Sequence, residues 1–125
     1  MRIGLAYNQK PVSGLSLDEP PSSTDTFAEW DEPSTIDAVE RALRLFGDVV
    51  RLEADRAFPA KLAVNDVDIV FNMAEGLFGP NRESHVPAIC EYLGVRYTGS
   101  DPLALSLALH KGKAKEILAF RGIPT

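Results

Sequence analysis

Residues 67–100 read VDIVFNMAEGLFGPNRESHVPAICEYLGVRYTGS, and that stretch holds a strand, a loop, a helix and a second strand in succession. Val67, Ile69, Val70 and Phe71 mix β-branched and aromatic side chains with no breaker, as a buried strand does. The run gives way to Glu75-Gly76-Leu77-Phe78-Gly79-Pro80-Asn81-Arg82-Glu83, where glycine and proline punctuate a loop. Beyond it, Val86, Ile89, Cys90 and Leu93 recur at i, i+3, i+4 and i+7, which predicts one apolar helix face, and Gly94 stands where a left-handed terminating residue belongs. Val95 to Ser100 is the next short strand. In doubly wound sheets, ligands gather where strands end in such loops, so chemistry is expected between Glu75 and Glu83.

Working outward, Arg2 to Tyr7 (RIGLAY) is a short apolar run consistent with a central parallel strand. Residues 8–33 change character: four of the nine prolines (Pro11, Pro20, Pro21, Pro33) and Gly14 lie among Ser, Thr and Asp, which predicts a long loop. Loops beyond about 12–15 residues inside a compact domain are usually functional or disordered. The acidic end of this one, Glu29-Trp30-Asp31-Glu32, carries the only tryptophan. Ser34 with Asp37 reads as a short capping box, and Ile36, Val39, Leu43 and Phe46 as the apolar stripe of a helix stopped by Gly47. Val49–Leu52 is a second strand, and Phe58–Val64 a weaker helical segment interrupted by Pro59. After Ser100 come an apolar helix, Pro102–Leu109, and an amphipathic one, Lys111–Phe120, ended by Arg121-Gly122 and Pro124.

Strands at 2–7, 49–52, 67–73 and 95–98 thus alternate with helices. That order predicts a three-layer α/β/α sandwich around a mostly parallel sheet of about four strands. At 125 residues, the chain suits one domain with a core that needs no staples. Eighteen acidic residues against 13 basic give a net charge of −5, which argues against a nucleic-acid backbone or an anionic membrane as main partner. The single cysteine, Cys90, rules out an intrachain disulfide and reads as a buried thiol. No apolar run approaches the ~20 residues of a membrane helix, and Met1 leads directly into a strand, so a cytoplasmic protein is expected.

Several chemistries drop out by pattern. A dinucleotide fold should show Gly-x-Gly-x-x-Gly after its first strand, whereas Asn8-Gln9-Lys10-Pro11 follows here. No Gly-x-x-x-x-Gly-Lys-Ser/Thr loop occurs. A phospho-acceptor domain needs acidic residues after the first strand and at the end of the third, where Asn8 and Asn72 stand. His85 and His110 lie on different helices without carboxylates at ligand spacing, so no metal site is expected.

What remains carries a resemblance. Glu-Gly-x-x-Gly-x-x-Arg-Glu (75–83), Tyr-Thr-Gly-Ser-Asp-Pro (97–102), Lys-x-x-x-Lys (111–115) and Gly-Ile-Pro-Thr (122–125), in that order, resemble the amino-terminal, Rossmann-like pre-ATP-grasp domain of D-alanine:D-alanine ligases and their relatives in the ATP-grasp superfamily. The likeness runs from Ala28 to Thr125 and includes the first strand. It implies an intact, cytoplasmic enzyme of the peptidoglycan-biosynthesis type that uses ATP and Mg2+ to phosphorylate a carboxylate and lets an amine attack the acyl phosphate. Residues 1–125 would be its substrate domain, with 111–125 starting the linker to an ATP-grasp portion that carries the metal-binding carboxylates. Alone, they are expected to be inactive. Amino acids, or other small carboxylates and amines, are the implied substrates, and homodimerisation through this domain is a further expectation.

The resemblance also implies roles by position. Lys111 matches the lysine of the family's Asp-Lys pair at the nucleotide, with His110 in the place of the aspartate, and Lys115 lies one turn on. Glu75-Gly76 stands where ordinary members have His-Gly near the first amino acid, and a carboxylate there suits an ammonium group. Glu75 is thus expected to be catalytic and substrate-binding, with Gly76, Arg82, Glu83 and Ser100 beside the substrate. Arg82 and Glu83 either position substrate groups or pair to fix the loop. The family's glycine-rich signature with its catalytic glutamate is missing after the first strand, and Glu29 or Asp31 is the nearest acidic substitute. The rival reading is a non-catalytic α/β binding or assembly module whose acidic loop and Trp30 meet a partner.

Overall fold

The apolar run of RIGLAY decides where the chain centres. In the computed structural model, which describes residues 1–11 and 28–125, strand β1 (Arg2–Tyr7) is buried from Ile3 onward. It is hydrogen-bonded on both sides by parallel strands, β2 (Asp48–Glu53) and β3 (Ile69–Asn72). A short β4 (Arg96–Tyr97) pairs with β3, so the order is β2-β1-β3-β4, all parallel. The expected α/β sandwich is borne out. No helix among the described residues is long and apolar enough to cross a membrane.

The two faces of β1 differ, as a period of two demands. Leu5 and Tyr7 pack with Ile36 of helix α1 (Pro33–Leu43), while Ala6 faces the larger cluster built by Leu52, Phe58, Leu62, Val70, Val86 and Cys90. That cluster is closed by α2 (Phe58–Asn65) and α3 (His85–Leu93). Each fully buried aliphatic or aromatic side chain here contributes about 1.5–3 kcal/mol. Gly4 leaves room for a neighbour, since a Cβ there would lie 2.7 Å from Leu52 Cδ1. Cys90 is wholly buried, and burial pushes its thiol up to about 11, so it stays protonated and structural.

Local details depart from expectation where a proline or the chain's own backbone wins. Ser34 is not the cap of α1. Glu32 occupies that position in extended conformation and Pro33 begins the helix, because proline's fixed φ and missing N–H suit the first turn. Pro59 likewise starts α2 rather than interrupting it. Helix α1 ends at Leu43, before Gly47, and Phe46 is 70% exposed rather than part of the stripe. Gly47 serves close approach instead: a Cβ would stand 2.1 Å from the Met1 carbonyl oxygen. Gly94 does terminate α3 at φ 69°, as its position predicts.

The ends of the expected 8–33 loop run side by side: Gln9 bridges Asp31, Lys10 N–H donates to Asp31 O at 2.9 Å, and Asp31 N–H donates to Asn8 O at 2.9 Å. The rest of that loop, 12–27, lies outside the described residues. Helix α4 (Pro102–Leu109), capped by Asp101 accepting from Ala104 N–H, packs on a single 3-10 turn, Arg82–Ser84. Helix α5 (Lys111–Phe120) packs in turn on α4.

Candidate functional site

Strand order reverses at β1. The chain goes from β1 to β2 on one side, then crosses over to β3 on the other, and a crevice opens outside the carboxyl ends of β1 and β3. Segments that meet there are Asn8–Lys10, the turn after β2, the loop after β3, and the 28–32 stretch that returns beside β1.

Asn8 ties these segments together. It is 1% exposed. Its side-chain Oδ1 accepts from the Gly76 N–H at 2.8 Å, its Nδ2 donates to the Ala54 carbonyl at 3.1 Å, and its own carbonyl takes the Asp31 N–H. Gly76 is the opposite half of this knot. It sits at φ 81°, and a Cβ would lie 2.2 Å from the Arg82 carbonyl oxygen, so only glycine fits. Its carbonyl accepts from Trp30 Nε1 at 3.3 Å. Asn72 ends β3 by accepting the Ala74 N–H on its Oδ1 at 3.2 Å, an Asx turn, while its own N–H donates to Thr98 Oγ1 at 3.1 Å. Buried Ser84 closes the far end of the loop by donating from Oγ to the Asn81 carbonyl at 2.7 Å.

The result is a cleft of about 320 Å³ lined by Asp31, Asn72, Glu75, Glu83, Ser100 and Leu105, among others. Three carboxylates face it. The nearest guanidinium, Arg82, is engaged by Glu29 in a short ion pair and lies 3.8 Å from Glu83. Burial raises the Glu75 carboxyl above the ordinary glutamate range, Glu83 and Glu29 push the same way, and Arg82 opposes them only in part. Asp31 is also raised by burial, against the pull of Lys10. A half-buried acidic cleft with its cation already paired suits a positively charged ligand group such as an ammonium.

Of the residues singled out from sequence, Glu75, Glu83 and Ser100 line the cleft. Glu29 and Arg82 do not line it but pair with each other, close enough to act electrostatically on Glu75. Gly76 has its backbone taken up by Asn8 and Trp30, and it lines a smaller cavity of about 180 Å³ on the other side of the loop with Phe58, Leu77 and Val86. Lys111 and Lys115 are exposed on α5 and do not line the cleft. His110 caps that helix, its Nδ1 accepting the Lys113 N–H at 3.4 Å, a task that an aspartate would also perform. Two exposed lysines on one helix make no phosphate cradle, so the described residues do not by themselves fit a nucleotide. Among the described residues no group of three or more His, Cys, Asp or Glu is arranged to hold a metal ion. Sequence reasoning passed over Asn8 as a working residue; an amide directly after the central strand was the available signal.

No family model matches the chain. It is 35% identical over 105 residues to an uncharacterised protein of Sinorhizobium fredii, covering 77% of this chain and 31% of that protein. It is 37% identical over 92 residues to a D-alanine–D-alanine ligase of Carboxydothermus hydrogenoformans, covering 73% of this chain and 29% of the ligase. The crystal structure of a D-alanine–D-alanine ligase from Bacillus anthracis superposes with a TM-score of 0.65 at 23% identity, covering all of this chain and 36% of the larger one. The chain therefore spans about three tenths of the length of the curated relatives it matches. The resemblance to the amino-terminal domain of such ligases, read from the loop motifs, is borne out.

Proposed function

We infer that residues 1–125 form the amino-terminal substrate domain of an ATP-dependent carboxylate–amine ligase of the D-alanine–D-alanine ligase kind. One observation carries this reading at the site: Asp31, Glu75 and Glu83 converge on a cleft at the switch point of the sheet, in a chain similar to such ligases. The cleft carboxylates bind and orient the ammonium of an amino acid or related amine, and Ser100 supplies a hydroxyl to the same cleft. ATP and Mg2+ supply phosphoryl activation of the carboxylate in the intact enzyme. Residues 111–125 lead toward the portion that holds them, with Lys111 and Lys115 reaching the nucleotide from the edge. The setting is cytoplasmic, and the joined product is of the peptidoglycan-precursor type where D-alanine is the amino acid. Self-association through this domain belongs to the same reading, supported by an apolar depression of about 190 Å³ beside exposed Phe46.

Glu75→Gln tests the assignment in the intact protein. Losing one charge-assisted hydrogen bond to an ammonium costs about 1.5–3 kcal/mol, so kcat/KM for the amine should fall about tenfold to a hundredfold, read by ADP release. Unchanged kinetics would remove the role. Stability should move the other way. Because the folded carboxyl is raised, the folded state holds its proton more tightly than the unfolded chain does, and stability is lost as pH rises from the ordinary glutamate range through the raised value. The glutamine variant lacks that loss. Its melting temperature should match or exceed the parent's at neutral pH and converge with it in acid.

A further inference from the structure

We propose that Asn8 is the positioning residue of this cleft, holding Glu75 and Asp31 in place for the amine; the proposal rests on the ligase reading above. Glu75 itself is pinned through both of its neighbours. The N–H of Ala74 before it is held by Asn72 Oδ1 at 3.2 Å, and the N–H of Gly76 after it by Asn8 Oδ1 at 2.8 Å. Asp31 is held through its own N–H, which donates to the Asn8 carbonyl at 2.9 Å. One residue thus fixes the backbone beneath two of the three carboxylates that face the cleft.

The chemistry of the position calls for an amide. One side offers a donor, the Gly76 N–H, and the other an acceptor, the Ala54 carbonyl. A carboxylate would meet the carbonyl with no proton to give, and it would add a buried negative charge beside Asp31 and Glu75. An alanine would leave both groups without their partner. At 1% exposure, Asn8 does not touch solvent or ligand, so it acts through the residues it holds. Reactions that depend on a bound geometry lose rate steeply when a supporting group shifts by about an ångström.

The test is a double-mutant cycle in the full-length protein, using ADP release. The probe is whichever of D-alanine and L-alanine, each supplying both the carboxylate and the amine, gives the fastest release. Asn8→Ala should lower kcat/KM for the amine about tenfold and leave the KM for ATP unmoved. In a Glu75→Gln background the same change should cost less than about twofold, because the carboxylate that the Asn8 side chain positions is already gone, while Asp31 stays held by the residue 8 carbonyl that alanine keeps. Asn8→Ser, whose hydroxyl stops one bond short of the Oδ1 that holds the Gly76 amide but keeps a polar group in the pocket, replaces Asn8→Ala, with the same losses expected, if that variant fails to fold. An equal loss in both backgrounds, or no loss in either, overturns the positioning role while leaving the ligase reading intact. A Glu75→Gln variant with parental kinetics, or no ADP release with any probe, overturns both together.

Discussion

Gly76→Ala should dismantle the wall of the cleft, lowering stability by about 3 kcal/mol, the sum of left-handed strain and two buried groups losing their partners. The added methyl has nowhere to go. It would lie 2.2 Å from the Arg82 carbonyl oxygen and 2.6 Å from its carbonyl carbon, both backbone atoms that no rotamer change can move. The backbone at φ 81° is also one that an L side chain rarely adopts. The loop must therefore shift, and the shift breaks the bonds to Asn8 and Trp30 that pass through this one residue. Thermal unfolding followed by circular dichroism should show a fall in Tm of about 10 °C or more. A change under 2 °C would mean that the loop follows another path past Arg82.

Phe58→Ala is expected to be the most damaging change in the core, at about 3–5 kcal/mol. Phe58 is 2% exposed at the start of α2 and packs in the cluster with Leu52, Leu62, Val70 and Cys90. It also walls the cavity of about 180 Å³ under the loop. Removing the ring joins a new void to an existing one, and Pro59 holds the first turn of α2 against collapse into the gap. Domains of this size hold about 5–15 kcal/mol in total, so the loss is a large share of the whole. The midpoint of urea unfolding should drop accordingly, with the slope unchanged. A midpoint within error of the parent's would show that the ring is not a core element.

Much of this architecture was readable before any coordinates. The unbroken apolar run in RIGLAY, the 3.6-residue spacing of Val86, Ile89 and Cys90, and terminal glycines at 94 and 122 carry local information, and local information is what a sequence displays. The loop 75–83 and the acidic stretch at 29–31 were also singled out, and the structure brings them together. Helix starts are misread where Pro33 opens α1 ahead of Ser34 and where Pro59 sits in the first turn of α2 instead of interrupting it. The role of Asn8 was hidden for a different reason: its side-chain partners lie 46 and 68 residues along the chain, and no spacing rule connects an amide to a carbonyl at that distance. Lys111 and Lys115 were legible as a basic face, but what that face meets depends on neighbours the pattern does not name.

The sheet order has a kinetic consequence. Of the four strands of the sheet, the earliest in the chain is the one flanked on both sides, since Arg2 pairs with Asp48 and Ile3 with Ile69. One edge stays bare until β2 is made and the other until β3 is made, and the entropy of closing both loops is spent before the ladder is complete. Contacts near in sequence, such as those of α3 with β4, close far shorter loops and can form as soon as their residues are made. The opening strand is thus a late arrival in its own sheet, and until it docks it offers nascent neighbours an apolar template with two open edges.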